Sequence, residues 1–580
     1  MRFEFKVKNW RSYLPIWGTL ARYRREDFDH DLIAGLILGV ITVPQAIAYA
    51  FLAGLPAQAG LYACLVPMVI YAMLGSSRHL IVGPVAIAAL MVASAVGQYA
   101  PLYSDAYLGI TTVLSLQAGL FLWILRLSQM GGIANLISHA VITGFVNAAA
   151  ILIVISQLHA FFGISAPASN AAPLLRLNDL YNNLDQLNPA SVGLGVASIF
   201  CMFVVQYAAV PIVRKVFPAI TAEHPISKAG PIVVVLLAGL SVWAGNLGET
   251  MQVATVGDVP RGLPELTVPP FDLALWLDLA PVSALIAFVA YIESYSVGAT
   301  LATREKTRVN SHQELIALGA ANVGAAFTGA YPVAGSFTRS SVNYQTGART
   351  QISALICMVV IVLVLLFITP AFAHLPHAAL AAIIMVSVIG LIDVKHLPEQ
   401  WRFYREDVIT QGVTLVTVLF FSVEAGLITG VLLSIAFFVR ESSRPHIVLV
   451  GRMPGTEQFK AINRYDVETL GHTAAVRIDE NLYFANADRI ENKLLKIIER
   501  RLGTKHLLLV CSSINTIDIS GLEMLYRIND HLDGRGIKLH LSDVKGAPLA
   551  KLHKTQFTKA LSGSIYFTTD QAIRDLSERA

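Results

Sequence analysis

Tyr331-Pro332-Val333-Ala334-Gly335-Ser336-Phe337-Thr338-Arg339-Ser340-Ser341 combines small residues, hydroxyls and one arginine, and it lies between two long apolar stretches. An arginine at bilayer depth is costly enough that it normally faces a cavity or a ligand. Backbone interrupted by Gly and Pro is tolerated at that depth only where protein or water covers it. A hydroxyl-rich helix start carrying a guanidinium suits an anion, because free backbone N–H groups and the helix dipole point the same way. Ser336, Phe337, Thr338 and Arg339 are therefore candidate site residues. Arg339 has two other readings: a side chain that snorkels to the membrane surface, or a counter-charge for Glu293.

Glu293, in Ala290-Tyr291-Ile292-Glu293-Ser294-Tyr295, reads as the one carboxylate in the middle of an apolar span. A carboxyl surrounded by apolar groups can take up and release a proton, and near an anion its protonation would remove repulsion and add a donor. A permanent ion pair with Arg339 is the competing reading, and both stay open. Pro44-Gln45 interrupts an earlier apolar run, with Tyr49 four residues on and on the same helical face. Gln45 can donate to or accept from a ligand, and Tyr49 can wall a cavity; the alternative is a proline kink whose polar neighbour is satisfied by backbone. A further short apolar run is expected to begin at Pro84, where a missing N–H is harmless, followed by Ala86 and Ala88, small enough to let a ligand reach the backbone. Gly35 and Gly39 have the G-x-x-x-G spacing of close helix packing. His139, His159, His374 and His377 do not cluster and receive no role.

These residues need a membrane-spanning frame to position them. Of 580 residues only 14% are charged, against roughly 25% in ordinary soluble domains. Apolar runs follow one another from about Asp31 to Arg440, after which charges become frequent and the runs shrink to strand length. The expected organisation is an N-terminal segment 1–30, a transmembrane domain 31–441 and a soluble domain with linker, 442–580. Arg2, Lys6, Lys8, Arg11, Arg22, Arg24 and Arg25, with Trp10, Tyr13 and Trp17, form a basic arm without a cleavage site, read as cytoplasmic and interface-lying. Cys64, Cys201, Cys357 and Cys511 are scattered, with neither a disulfide framework nor a metal-ligand spacing. The net charge of +4 is mild and gives no reason to expect nucleic acid as a partner. No cofactor is expected.

About fourteen runs are expected, near 31–52, 57–74, 84–98, 107–126, 131–157, 190–210, 229–246, 277–303, 311–329, 336–346, 351–373, 377–393, 407–421 and 424–440. The third and tenth are too short to cross a hydrocarbon core of ~30 Å as helices. If the runs alternate, Arg78, Arg126, Arg214, Lys215, Lys228, Arg304, Lys306, Arg308, Arg349, Lys395, Arg402 and Arg405 fall on one side. The positive-inside rule makes that side, and both termini, cytoplasmic. Seven runs per half is odd, so the second half inserts upside down. Interrupted short segments at matching places of two halves are the sequence mark of a transporter's binding site.

With these residues in place, the chain resembles the sulfate permease family of anion transporters over nearly its whole length. The resemblance rests on Val43-Pro44-Gln45-Ala46-Ile47-Ala48-Tyr49-Ala50, Leu52-Ala53-Gly54-Leu55-Pro56, Gly60-Leu61-Tyr62, Val82-Gly83-Pro84, Gln313-Glu314-Leu315 and Ser336-Phe337-Thr338-Arg339-Ser340, in order and at fitting intervals. It implies a fourteen-span, 7+7 inverted repeat with core segments 1–4 and 8–11 and gate segments 5–7 and 12–14. The anion would sit between the starts of segments 3 and 10 and move by elevator-like displacement of the core, in a homodimer. By matching positions, Gln45, Tyr49, Val85, Ser336, Thr338 and Arg339 would line the site, beside Ala86 and Phe337, and Glu293 matches an acid tied to proton coupling in some relatives.

After Phe459, alternation of strands (Thr473–Ile478, Lys505–Val510, Lys538–Leu541) and helices (Ala487–Leu502, Gly521–Leu532, Asp570–Leu576) suggests an α/β layer. Ile517-Asp518-Ile519-Ser520-Gly521-Leu522 resembles the signature of STAS domains, with Asp518 and Ser520 expected to cap a helix near Gly521. Ile519 stands where phosphorylated antagonists carry a serine, which leaves Ser520 a weak substitute. The domain reads as a regulatory or docking element with a possible protein partner, not an enzyme; no G-x-x-x-x-G-K-[ST] loop supports ATP-driven transport. The sequence thus points to a proton-coupled sulfate symporter in a cell's inner membrane. Competing readings are a bicarbonate or dicarboxylate carrier, sodium coupling, an anion channel on the same fold, and a membrane-anchored signalling protein.

Overall fold

The computed structural model describes residues 14–129, 138–164, 173–209 and 230–578. Most of the basic arm, Arg214, Lys215, Lys228 and the start of the fifth expected run lie outside the described residues. The chain forms two compact units, Met1–Val431 and Leu432–Ala580.

Fourteen helical segments among the described residues match the expected runs: α1 Arg25–Leu52, α2 Ala57–Leu74, α3 Ala86–Val96, α4 Asp105–Leu127, α5 His139–Phe162, α6 Pro189–Tyr207 and α7 Gly230–Gly245, then α8 Leu273–Arg304, α9 Ser311–Phe327, α10 Phe337–Gln345, α11 Ile352–Phe372, α12 His377–Ile389, α13 Arg405–Phe420 and α14 Val423–Ser442. Local chemistry sets their starts: Ser104, Ser138, Asn188, Asp272 and Asn310 each accept a first-turn N–H at the N-cap. A short helix, Pro173–Asn182, was not expected from the apolar pattern.

Helix pairing carries the inverted repeat. α1 packs on α11 as α8 packs on α4; α2 packs on α9; α3 touches α1 and α8 as α10 touches α8 and α1. Exchanging the first four helices for α8–α11 maps this set onto itself. α5 packs on α12 and α13, and α12 on α6, which makes a second, gate-like group. Gly35 and Gly39 are the close-packing pair the sequence suggests: a Cβ at Gly35 would stand 2.6 Å from the Ser353 carbonyl, and one at Gly39 2.7 Å from Val360.

Two acids near helix starts, Asp31 and Glu314, are fully buried in this unit, whereas Glu293 in mid-helix is partly buried. Asp31 takes hydrogen bonds from the Arg349 N–H (2.7 Å), the Thr350 N–H (3.0 Å), the Thr350 hydroxyl (2.5 Å) and the Tyr23 hydroxyl (3.1 Å). Glu314 takes them from the Tyr71 hydroxyl (2.7 Å) and from the Ser76 N–H (2.9 Å) and hydroxyl (2.7 Å). Both are structural clamps that tie a helix to a distant loop, saturated with donors.

Within the unit Leu432–Ala580, six strands β3 Ile447–Arg452, β4 Phe459–Ala461, β5 Thr473–Ile478, β6 His506–Val510, β7 Lys538–Ser542 and β8 Ile565–Tyr566 form one sheet. The order is β4-β3-β5-β6-β7-β8, with β5 to β8 parallel and β3 antiparallel to both neighbours. Strand alternation divides it: Leu507, Leu509, Leu539 and Leu541 face helices α15 Ala487–Glu499 and α16 Ile519–Asp533. Leu508, Val510 and Tyr566 cluster instead with Ala572 of α18, Thr569–Glu578, which follows α17, Gly546–His553. Asp518 caps α16 by accepting the Gly521 N–H (2.8 Å) while its other oxygen accepts the Phe484 N–H (2.8 Å). The helix starts at Ile519, so Ser520 is inside it and not a cap.

Candidate functional site

The two short helices meet. β1, Val82–Gly83, pairs antiparallel with β2, Ala334–Gly335, with Val82 opposite Gly335 and Gly83 opposite Ala334. The ribbon explains how broken backbone survives at this depth, since its polar groups are satisfied across the two halves. Ser336 N–H donates to the Ile81 carbonyl (2.9 Å), Ile81 N–H to the Ser340 hydroxyl (2.9 Å) and Gly335 N–H to the Ser294 hydroxyl (2.7 Å). Asn322 closes the approach by accepting the Val333 N–H (2.9 Å) and donating to the Val333 carbonyl (3.1 Å).

From this ribbon the helices leave in opposite directions. α10 starts at Phe337 with Ser336 as its N-cap, whose hydroxyl accepts the Arg339 N–H. α3 starts at Ala86, not at Pro84: Val85 is the extended N-cap residue and Pro84 stands before it. The reason is that the Pro84 carbonyl points away to accept a hydrogen bond from Arg339 Nη2. No side chain caps α3, so its first-turn N–H groups are left for a ligand or water. Eleven residues in α3 and nine in α10 give lengths of roughly 16 and 14 Å at 1.5 Å per residue, each about half a hydrocarbon core.

Arg339 is fully buried, at 0% exposure, so it does not snorkel. Nor does it form an ion pair with Glu293: among the described residues its guanidinium holds Pro84, lies 3.8 Å from Cys64 Sγ through Nη1, and leaves Nε without a partner. The charge is therefore not neutralised by a carboxylate contact. Glu293 instead lines a cleft of about 180 Å³ with Ile87, Phe145, Val289, Phe337 and Leu427, and its Oε2 is buried without a hydrogen-bond partner among the described residues. Asp31 and Glu314, by contrast, have donors on both carboxylate oxygens.

The other expected residues gather around this crossing. Val85 packs with Ala88, Ala290 and Ala334. Val85, Ala86 and Ser336 are buried, and Thr338 is partly so. Phe337 is 48% exposed and lines the Glu293 cleft rather than the crossing itself. Gln45, 4% exposed, has no side-chain hydrogen bond among the described residues, and α1, which carries it and the buried Tyr49, touches both α3 and α10. A second, larger cleft of about 560 Å³ lies at the far end of the same seam, lined by Ala93 and Gln98 beyond the site, Ser156 and Gln157 on α5, and Leu380 on α12. The two clefts use opposite ends of α3 and α5.

Sequence reasoning missed Cys64 and Tyr331. Both are fully buried near Arg339, and the Tyr331 hydroxyl has no hydrogen-bond partner among the described residues. Tyr331 stood inside the motif but carried no charge to single it out. His159 and His377, given no role from sequence, line the larger cleft.

Residues 28–414 match the sulfate permease family and residues 464–574 match the STAS domain. The chain is 35% identical over 555 residues to "Sulfate transporter 4.1, chloroplastic" of Arabidopsis thaliana, covering 93% of this chain and 79% of the relative. Its fold is similar to that of the murine Solute Carrier 26 family member A9 anion transporter in the inward-facing state, with TM-score 0.89 at 23% identity, covering 100% of this chain and 96% of that one. It also resembles the transmembrane domain of a cyanobacterium bicarbonate transporter, BicA, with TM-score 0.59 at 22% identity, over 70% of this chain and 98% of that one.

Proposed function

Because the chain belongs to the sulfate permease family and ends in a STAS domain, we propose that it is a secondary active anion transporter, a proton-coupled sulfate symporter working by elevator-type alternating access. It is a multi-pass membrane protein and not an enzyme. The observation that carries the reading is the meeting of two half-helix N-termini beside a guanidinium that has no carboxylate partner among the described residues. N–H dipoles and a buried positive charge converge where a compact oxyanion would rest, between Val85-Ala86 and Ser336-Phe337-Thr338, with Gln45 and Tyr49 as walls.

Arg339 then supplies field and rigidity more than a direct bond, because one arm of its fork is already taken by Pro84. Glu293 supplies the proton site: its buried Oε2 has no hydrogen-bond partner among the described residues, and it borders the cleft through which an anion would leave. Clefts at the two ends of one seam favour a core that carries the anion past a fixed gate. A homodimer in a cell's inner membrane with both termini in the cytoplasm, and a STAS domain that docks a protein partner, complete the proposal.

The test is uptake of labelled sulfate by purified protein in liposomes, driven by acidifying the outside, with sulfate, bicarbonate, succinate and chloride in competition. Saturable uptake that follows the proton gradient and is displaced best by unlabelled sulfate is expected. Stronger displacement by bicarbonate or succinate would reassign the substrate, sodium dependence would replace the proton, and large unitary currents would replace the carrier by a channel.

A further inference from the structure

Helix α15 of the C-terminal unit carries its cations on one face. Arg489, Lys493, Lys496 and the C-cap residue Arg500 are all exposed. At about 100° per residue their spacing places the four within roughly 60° of arc. The buried face of α15 consists of Ala487, Ile490, Leu494 and Ile498. Its centre lies roughly 135° around the helix from the centre of the basic stripe.

A solvated helix face usually mixes the two signs, so that neighbours three or four apart attract. Here Arg489 and Lys493, Lys493 and Lys496, and Lys496 and Arg500 are like-charged neighbours at those spacings, which repel unless an anionic surface meets them. The acids of the helix are turned elsewhere. Arg527 of α16 takes two of them: its Nη2 lies 3.1 Å from Asp488 Oδ1 and 2.6 Å from Glu491 Oε2, with Nε 2.9 Å from the latter. Glu499, the remaining acid, stands roughly 90° from the middle of the stripe. Among the described residues no ion pair engages the four cations, whereas Arg527 has two.

A second observation says which surface that is. The apolar span of α14 ends at Ser442, and β3 begins at Ile447. Asn486, the N-cap residue of α15, donates through Nδ2 to the Ser442 carbonyl (3.4 Å) and to the Asn481 carbonyl (2.9 Å). Asn486 and Ser442 belong to the same compact unit, Leu432–Ala580. The first cation, Arg489, therefore follows closely on a side chain bonded to the end of a membrane span. Bilayer headgroups lie at the end of such a span, and the covalent tether makes the encounter intramolecular. Large exposed apolar side chains also flank α15 in sequence, Phe484 (77% exposed) before it and Leu502 (95%) after it, a composition suited to lying on a bilayer surface.

We propose that the face formed by Arg489, Lys493, Lys496 and Arg500 docks on anionic phospholipid headgroups of the leaflet that α14 leaves, and so holds the C-terminal domain against the bilayer by charge. An acidic protein is the other polyanion such a face would attract; the bond to Ser442 favours lipid. The inference rests on α14 being a membrane span and is independent of which anion is carried.

The test uses the full-length protein in nanodiscs of phosphatidylcholine alone or with one third phosphatidylglycerol. A nitroxide is placed beside the stripe at Asn492→Cys, in a Cys201→Ser background because the other three cysteines are buried. Collision of the nitroxide with nickel chelated on lipid headgroups is read by EPR power saturation. Strong collision is expected with phosphatidylglycerol, weak collision in phosphatidylcholine alone, and loss of the difference at high salt. One Lys or Arg beside an anionic leaflet shifts the docked-to-free ratio about fivefold. Lys493→Gln should lower that ratio by this factor, and neutralising all four cations to Gln should abolish docking. Arg535→Gln, Lys551→Gln, Lys554→Gln and Lys559→Gln together, exposed cations elsewhere in the domain, should lower it much less. Gln keeps the helix propensity of the residues it replaces, and unchanged thermal unfolding confirms that each variant is folded. Equal collision in both lipid compositions, or undiminished docking in the stripe variant, overturns the proposal. Binding of polyglutamate that the stripe variant loses, with no response to lipid composition, overturns it too and reassigns the face to an acidic protein.

Discussion

Gly83→Ala tests whether the guanidinium and the ribbon are one mechanical unit. Gly83 does not have a positive φ, so alanine introduces no backbone strain there. Its Cβ would instead stand 2.8 Å from Arg339 Nη1 and 3.4 Å from both Cζ and Nη2. An arginine tip can usually swing aside, but here Nη2 is held by Pro84, one residue on from the substitution. Relieving the contact means moving the guanidinium off that carbonyl. A hydrogen bond to a charged group is worth about 1.5–3 kcal/mol, and at ~1.4 kcal/mol per factor of ten the expected loss of sulfate affinity is roughly 10- to 100-fold. The assay is a double-mutant cycle read by sulfate binding and by thermal unfolding of the purified protein. Gly83→Ala should cost both quantities in the wild type and add less than about 0.5 kcal/mol to Arg339→Ala, because the obstructing group is gone. An equal penalty in both backgrounds, or a harmless Gly83→Ala, refutes the coupling.

Three further outcomes are expected. Glu293→Gln should leave sulfate uptake measurable but flatten its dependence on outside pH; an unchanged pH profile in liposomes would remove the proton role from that residue. Glu314→Ala should strand the Tyr71 hydroxyl and the Ser76 groups at a cost of about 1–3 kcal/mol for each buried group left unpaired, seen as a lowered melting temperature, whereas Glu314→Gln should be milder and neither should alter the pH profile of uptake. In the C-terminal domain, burial pushes the Asp479 carboxyl up, but hydrogen bonds from Arg477 at 2.6 and 3.1 Å outweigh it and hold the group below its ordinary value. A carboxylate lowered on folding stabilises above its unfolded value, near pH 3.9, and that contribution disappears as pH falls through the folded value. Asp479→Asn should therefore be less stable than the wild type at neutral pH, and its stability should fall less steeply as the pH drops below about 4, read by acid unfolding followed by circular dichroism; an unchanged acid slope would remove this role from the Arg477 pair.

The frame of the transporter was legible because hydrophobic length is a property of contiguous residues. Both short helices stood out by their length deficit, and the odd number of runs per half implied inversion. The ribbon was not legible, since nothing in Val82-Gly83 or Ala334-Gly335 announces a partner in the other half. Arg339 was found but its target was not, because a backbone carbonyl leaves no mark in the sequence. Pro84 was placed inside a helix on propensity, whereas tertiary demand for its carbonyl keeps it outside. Glu314 sits in the first turn of α9, where acids are ordinary, so its burial gave no signal. In the C-terminal domain β5 was read to the residue, while β3 and the two-residue β8 were too short or too close to α14 to separate.

The ribbon also constrains how the chain is made. Ile81 and Ser340, which bond across it, are 259 residues apart. Until the second half arrives, the first half holds a stretch of unpaired backbone at bilayer depth, where each unsatisfied polar group costs several kcal/mol. Translation delivers residues at about 5–20 per second, so that exposure lasts on the order of 13–52 seconds. The nascent first half must spend this interval sheltered, by the insertion machinery or by water that has not yet left. Biogenesis, and not only transport, is therefore governed by when Ala334 and Gly335 reach Val82 and Gly83.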